Sequence, residues 1–167
     1  MTLDDIDFLL KHFGDPETNR YSSYEDLKTR RDAVQLYRDF MEPGSSTRFR
    51  LGVELKKIRR LVGTLGLHNL SRRDRRAEIG FDLYKDHWGK GIMTEAVRTL
   101  INYGFQQLNL NRIEATTDSE NTRSIRLLER LGFLKEGRLR QKYFYKGRHH
   151  DELVFSLLKK DWEKREA

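Results

Sequence analysis

Cysteine is absent from this 167-residue chain, and proline occurs only twice. Without a thiol there is no disulfide framework, no thiolate metal site and no cysteine nucleophile, and a reducing, cytoplasmic setting is the expectation. No apolar run approaches the roughly 20 residues that cross a bilayer, so no membrane partner is expected. The opening Met1-Thr2-Leu3-Asp4-Asp5 lacks the basic and apolar regions of a signal peptide. No repeat, low-complexity tract or linker interrupts the chain, and one domain over residues 1–167 is expected.

Charge is what the chain has in abundance. Charged residues make up 35%, and 33 Lys and Arg against 26 Asp and Glu give a formal charge of +7. Such a surface attracts phosphate in any form: nucleic acid, lipid headgroup, ribosome or nucleotide cofactor. The densest basic runs, 56–60 and 72–76, fall where turns are expected and read first as solvated turns.

Hydrophobic period divides the rest. Residues 3–13 read as a short helix ended by Gly14 and Pro16. Leu27, Val34 and Met41, with Ala33, Leu36, Tyr37 and Phe40 beside them, predict a helix over 24–41 closed by Pro43-Gly44. Phe49, Leu51, Val53 and Leu55 alternate with polar residues as in a strand, and 61–67 read as its hairpin partner. Ala77, Ile79, Phe81 and Leu83 mark a third strand. Ile92, Ala96, Leu100 and Leu108 form one helical row and Met93, Val97, Ile101 and Phe105 the next, so this helix lies flat on a sheet. A strand over 112–117, a helix over 120–131 stopped by Gly132, and strands over 138–145 and 153–158 follow. That order predicts an α/β domain with a mixed sheet.

Chemistry concentrates in two places. In Asp86-His87-Trp88-Gly89-Lys90-Gly91-Ile92-Met93-Thr94, two glycines let the backbone turn and approach a ligand just where a helix begins. Free N–H groups and the helix dipole favour a phosphate there, and Lys90 adds charge. The spacing matches neither a P-loop nor a dinucleotide fingerprint, and an ordinary helix-entry turn would look similar. Some thirty residues on, Asn121-Thr122-Arg123-Ser124 places Asn121 and Ser124 on one helical face, with Gly132-Phe133 beyond. Helix capping alone would explain that pair.

Together these segments resemble the GNAT superfamily of N-acetyltransferases, over residues 78–162. Within it, Trp88-Gly89-Lys90-Gly91, Asn121-Thr122-Arg123-Ser124, Gly132-Phe133-x-x-Glu136-Gly137 and Asp151 are similar to the branch that acetylates ribosomal-protein N-termini, a pattern largely shared by spermidine acetyltransferases. The resemblance implies a mostly antiparallel sheet with splayed central strands, flanked by helices, and acetyl-CoA as acyl donor. It implies that His87, Trp88, Gly89, Lys90, Gly91, Ile92 and Met93 hold the pyrophosphate. Ile79, Phe81 and Leu83 would pair with the pantetheine arm, Asn121 would bond that arm, and Ser124 would protonate the leaving thiolate. It further implies an amine substrate, with ribosome association and a homodimer as partner expectations. Three positions depart from the pattern. Asp86 stands where Gln or Arg opens the loop, Leu128 stands where many members carry a tyrosine acid, and no Leu-x-Leu-Arg strand precedes Leu3.

Transfer from a thioester to an amine needs a neutral amine near the carbonyl, donors for the oxyanion and a proton for the thiolate. Glu78, on the strand beside the cofactor, is the leading general base, against the plainer reading that it pairs with an arginine of 72–76. Tyr143 stands where the ribosomal branch can carry a carboxylate, and His68 and Asp82 are weaker candidates. His149-His150 invites a metal reading, but adjacent residues of a strand point apart, and no metal site is expected. Tyr143, Phe144 and Tyr145 could stack nucleobases, although strand aromatics mostly pack. A direct-attack acetyltransferase acting on a protein N-terminal α-amine is the expectation. A polyamine or small-molecule acetyltransferase and a catalytically weak CoA- or RNA-binding module are the alternatives.

Overall fold

The computed structural model describes residues 1–22, 24–41 and 45–166. Six strands form one sheet: β1 (Phe49–Leu55), β2 (Arg60–Ser71), β3 (Arg76–Leu83), β4 (Arg112–Asp118), β5 (Leu134–Tyr145) and β6 (Arg148–Leu158). Their spatial order is β1-β2-β3-β4-β6-β5. Every neighbouring pair is antiparallel except β3 with β4, which run parallel. Among the described residues the α-helices are α1 (Ile6–Gly14), α2 (Arg30–Phe40), α3 (Ile92–Gln106), α4 (Thr122–Arg130) and α5 (Lys159–Glu166).

The parallel pair positions the site. β3 and β4 are in register only at Arg76↔Arg112, Ala77↔Ile113 and Glu78↔Glu114. Beyond Glu78 the two strands part, and residues 79–83 keep β2 as their ladder partner. The α3 crossover joins β3 to β4. Its two apolar rows bury Met93, Val97, Leu100, Ile101 and Phe105 against Leu65, Leu67, Ile79, Ile113 and Phe155. On β2, Leu65 and Leu67 join that core, whereas Thr64 bonds Arg50 and Asp82. A second cluster, of Ile6, Leu9, Phe13, Ala33, Leu36 and Phe40, holds α1 to α2.

The larger differences from the sequence reading each have a local reason. α2 starts at Arg30 rather than at 24, because Thr29 caps it and Asp32 returns the bond to the Thr29 backbone. The preceding residues are committed elsewhere: the Leu27 N–H donates to the Phe13 carbonyl at 3.1 Å, and Asp26 accepts from Asn19 at 2.7 Å. Pro43-Gly44 lies outside the described residues. β5 begins at Leu134 and β6 at Arg148, both earlier than their apolar pattern shows. β5 is an edge strand exposed along nearly its whole length, so nothing in it alternates. Finally, α5 follows β6 directly and buries only Trp162, which gives no period to read. At the other end, Leu3–Asp5 is a 3-10 turn capped by Thr2, and β1 is the first strand among the described residues.

Candidate active site

The divergence of β3 and β4 opens a groove of about 680 Å³. One half of it is built around the start of α3. Gly89 and Gly91 adopt φ of 74° and 77°, a region L-residues rarely enter, and Gly91 is the N-cap of α3. Open space surrounds both α-carbons, so conformation alone demands glycine there. The Glu95 N–H already bonds the Gly91 carbonyl, which leaves the N–H groups of Ile92, Met93 and Thr94 without helical partners. Trp88 anchors the loop by donating its indole N–H to the Leu83 carbonyl at 2.7 Å, and the Arg123 guanidinium lies 3.9 Å from its ring centroid.

Opposite stands α4. Asn121 caps it, its Oδ1 accepting the Ser124 N–H at 3.2 Å, so the amide NH2 is left over from the capping role. Arg123, Arg126 and Arg130 recur at helical spacing and line the groove on the same side. Of the residues expected from sequence, Glu78, Ile79, Phe81, Leu83, Trp88, Gly89, Gly91, Ile92, Met93, Asn121 and Ser124 line this groove. His87 and Lys90 do not. His87 ends a 3-10 turn, and the Lys90 ammonium folds back onto the Asp86 carbonyl at 2.7 Å. Leu128, at the position of the superfamily's tyrosine, is 1% exposed in the core, whereas Ser124 faces the groove.

The other half is acidic and comes from four strands. Glu78 accepts from Thr116 Oγ1 at 2.9 Å and from Asn69 Nδ2 at 3.0 Å, with His68 Nε2 3.4 Å away. The bond from His68, against an opposing effect of burial, draws the Glu78 carboxyl from its ordinary 4.5 down to about 2. It is therefore an anion at any working pH and a weak proton acceptor. Glu152 is buried beside Tyr143, whose hydroxyl is pushed up to about 12 by burial and then by the Glu152 charge. Asp118 accepts from the Tyr145 hydroxyl and faces His150. Asp82, a weaker candidate base, has other work: it pairs with His12 of α1 and Arg50 of β1 and accepts from Thr64. Burial alone would raise its carboxyl, but these partners hold it at about 2.

This arrangement has known relatives. The chain matches the acetyltransferase (GNAT) domain family over residues 1–134. It belongs to the GNAT acetyltransferases. The uncharacterized N-acetyltransferase p20 of Bacillus licheniformis is 44% identical over 165 residues, covering 97% of this chain and 92% of that one. YdaF of Bacillus subtilis, provisionally named a ribosomal N-acetyltransferase, is 46% identical over 103 residues, 62% of this chain and 56% of that protein. In fold, this chain is similar to a spermidine N-acetyltransferase of Vibrio cholerae solved with CoA and spermine. The TM-score is 0.85 at 23% identity, over 98% of this chain and 95% of that one.

As a GNAT enzyme the protein carries N-acetyltransferase chemistry, and its two half-sites suit two different reactants. Backbone donors, a glycine cradle and an arginine row fit a polyphosphate ligand. Carboxylates whose facing partners are hydroxyls, amides and imidazoles fit a cation. Sequence reading missed the Arg126 and Arg130 part of the first half, although their spacing from Arg123 was a visible signal. It gave Asp118, Tyr145, His150 and Glu152 no role in the second, because no linear motif joins them.

Proposed function

We propose that this enzyme moves the acetyl group of acetyl-CoA to a protein N-terminal α-amine by direct attack, without a covalent enzyme intermediate. The observation that carries the reading is the parting of β3 from β4 at Glu78, which sets the edge of residues 79–83 and the starts of α3 and α4 around one groove. Ile79, Phe81 and Leu83 offer strand backbone to the pantetheine arm. Trp88, Gly89, Gly91, Ile92 and Met93 offer the N–H cradle for the pyrophosphate, and Asn121 a side-chain amide. The loop residues His87 and Lys90 support the cradle from outside.

In the reaction, the amine lone pair attacks the thioester carbon, the C–N bond forms and the C–S bond breaks. In this reading Ser124 gives the thiolate its proton. Glu78 holds the incoming ammonium. As a proton acceptor it serves as a relay, because a carboxyl drawn down to about 2 retains a proton poorly. We place the enzyme in the cytoplasm, with ribosomes as the source of acceptor chains, on the strength of its basic surface.

A polyamine acceptor is the second reading. Glu78, Asp118 and Glu152 give the acceptor half a local negative field inside a protein of charge +7. The deciding experiment incubates the purified protein with acetyl-CoA and, separately, N-terminal peptides, spermidine and aminoglycosides. Thiol release is followed, and products are identified by mass spectrometry. α-N-acetylated peptides are expected. Exclusive acetylation of spermidine would replace the first reading by the second, and absence of turnover with every amine would remove both.

A further inference from the structure

His150 is 7% exposed and lines the groove. Its Nδ1 lies 2.6 Å from Asp118 Oδ2, and the same oxygen accepts the Tyr145 hydroxyl at 2.6 Å. Burial opposes ionisation of Asp118, yet bonds from Tyr145, from the Glu120 N–H and from His150 hold its carboxyl below the ordinary range. Asp118 is thus an anion, and an anion places the imidazole proton on Nδ1. The Tyr145 ring stacks flat on the imidazole, 3.8 Å between centroids at 13°, and fixes its plane. The other nitrogen, Nε2, is buried and has no hydrogen-bond partner among the described residues.

An orphaned polar atom in a buried side chain is costly, so it calls for an occupant. With Nδ1 protonated, Nε2 presents a lone pair. What it lacks is a proton donor. The groove brings one: Thr116 bonds Glu78, and Asp118 follows two residues on along the same face of β4, about 7 Å further. An ammonium held at Glu78 therefore lies in the same groove as the imidazole, one pleat from the Asp118 carboxylate that holds it.

We propose that His150, oriented by Asp118 and Tyr145, is the proton acceptor for the amine substrate. This rests on the acetyltransfer reading above. The ammonium N–H bond breaks and its proton passes to Nε2, directly or along Glu78 and water. The amine lone pair then forms the C–N bond as C–S breaks, and the thiolate is protonated from Ser124, which recovers its proton from the new N–H. His150 returns its own proton to solvent, so one proton is released per amide formed. Asp118 stabilises the transient imidazolium, as a carboxylate behind a histidine does in other base catalysts. The other groups facing His150 are Tyr143 across the β5–β6 ladder, Glu152 on its own face of β6, and the Glu120–Arg148 ion pair at the rim. Histidine is the side chain suited to take and return a proton near neutrality.

His150→Asn tests this, because its amide can still donate to Asp118 while the acceptor nitrogen is gone. kcat/KM would be measured across pH with acetyl-CoA and spermidine or an N-terminal peptide, whichever the wild type acetylates. Wild-type kcat/KM should level off well below the amine's own pKa. In the variant the rate should follow free amine alone, rising towards the amine's own pKa. The deficit, roughly 10²-fold at pH 7, should then shrink about tenfold per pH unit. KM for acetyl-CoA should stay within about threefold. A deficit equal at every pH would reduce His150 to a packing residue and overturn the proposal, as would wild-type activity at pH 7. Should the variant fail to fold, Asp118→Asn applies the same test: it leaves the imidazole but removes its charge partner, with a loss of about tenfold expected at pH 7 and none expected if the pair is structural. Inactivity of the wild type on every amine would instead count against the acetyltransfer reading.

Discussion

The two halves of the groove are built on opposite principles. The half assigned to the cofactor is made of contiguous chain: a glycine turn at 88–91 feeding α3, and a capped turn at 121–124 feeding α4. Its working groups are mainly backbone N–H donors and a helical row of arginines. The acceptor half is made of single residues from separate strands, Glu78 on β3, Thr116 and Asp118 on β4, Tyr143 and Tyr145 on β5, His150 and Glu152 on β6. A ligand common to a whole family can be met by backbone and short motifs. An acceptor that differs between members is met by side chains that can change one at a time.

The largest expected effect breaks the first half at one point. Gly91→Val places a β-branched residue at φ 77°, where the N-cap must stay left-handed. Loss of the thermal upshift given by saturating acetyl-CoA is expected, because that upshift measures ligand binding to the native state. The melting temperature without ligand should also fall, since open space admits the side chain but the left-handed backbone strains it. An upshift of wild-type size in the variant would show that the phosphates are held elsewhere.

Glu78→Gln probes the other half, and two readouts follow. At neutral pH kcat/KM should fall roughly 10²-fold while the acetyl-CoA upshift persists, because the ammonium loses its counter-charge and the cofactor half is untouched. Stability supplies the second readout. The folded-state carboxyl sits below its ordinary value, so its contribution is fully present above about pH 4.5 and is lost as pH falls through about 2. At 1.36 kcal/mol per pKa unit the interval bounds the effect at roughly 3 kcal/mol. Denaturant melts should show the variant less stable than wild type at pH 6, converging with it near pH 2. Parallel curves over that range would mean that Glu78 gains nothing from His68, Thr116 and Asn69.

The same contrast explains what the sequence could and could not disclose. Periodicity found α3, whose inner face is buried along its length, and β1 and β3, whose apolar residues alternate in sequence although only Val53, Ala77 and Ile79 of them are buried. It extended α2 six residues too far back, where Leu27 mimics the helical row but is tied to Phe13. Nothing marked α5 or the early part of β5, one burying a single tryptophan and the other lying exposed at the sheet edge. In the site, Gly89, Gly91, Asn121 and Ser124 were legible because helix starts have local chemistry. His150 was passed over beside His149. Strand alternation separates the two correctly, His149 exposed and His150 buried, but only the folded side chains show that His150 reaches Asp118, which the β4–β6 register sets opposite Glu152.

Ser124→Ala should act at the meeting point of the halves. In the proposed reaction the hydroxyl acts as the C–S bond breaks, so kcat should drop about tenfold to a hundredfold with KM for acetyl-CoA changed less than about threefold. A loss confined to KM would make Ser124 a binding residue.

The smallest effect belongs to Asn121, to which the structure gives one task and the proposed function a second, and two substitutions can separate them. Its Oδ1 caps α4 by accepting the Ser124 N–H, and its amide NH2 is assigned to the pantetheine arm. Asn121→Ala removes both, so a loss of about 1 kcal/mol in stability is expected from the cap. An accompanying rise of about tenfold in KM for acetyl-CoA is expected from one lost hydrogen bond. Asn121→Ser keeps a capping oxygen at the right reach but has no amide donor. Its melting temperature should therefore stay near wild type while KM still rises about tenfold. If both substitutions raise KM only in proportion to the stability they cost, Asn121 acts on the cofactor solely by holding α4 in place, and the arm takes its bonds from β3 alone.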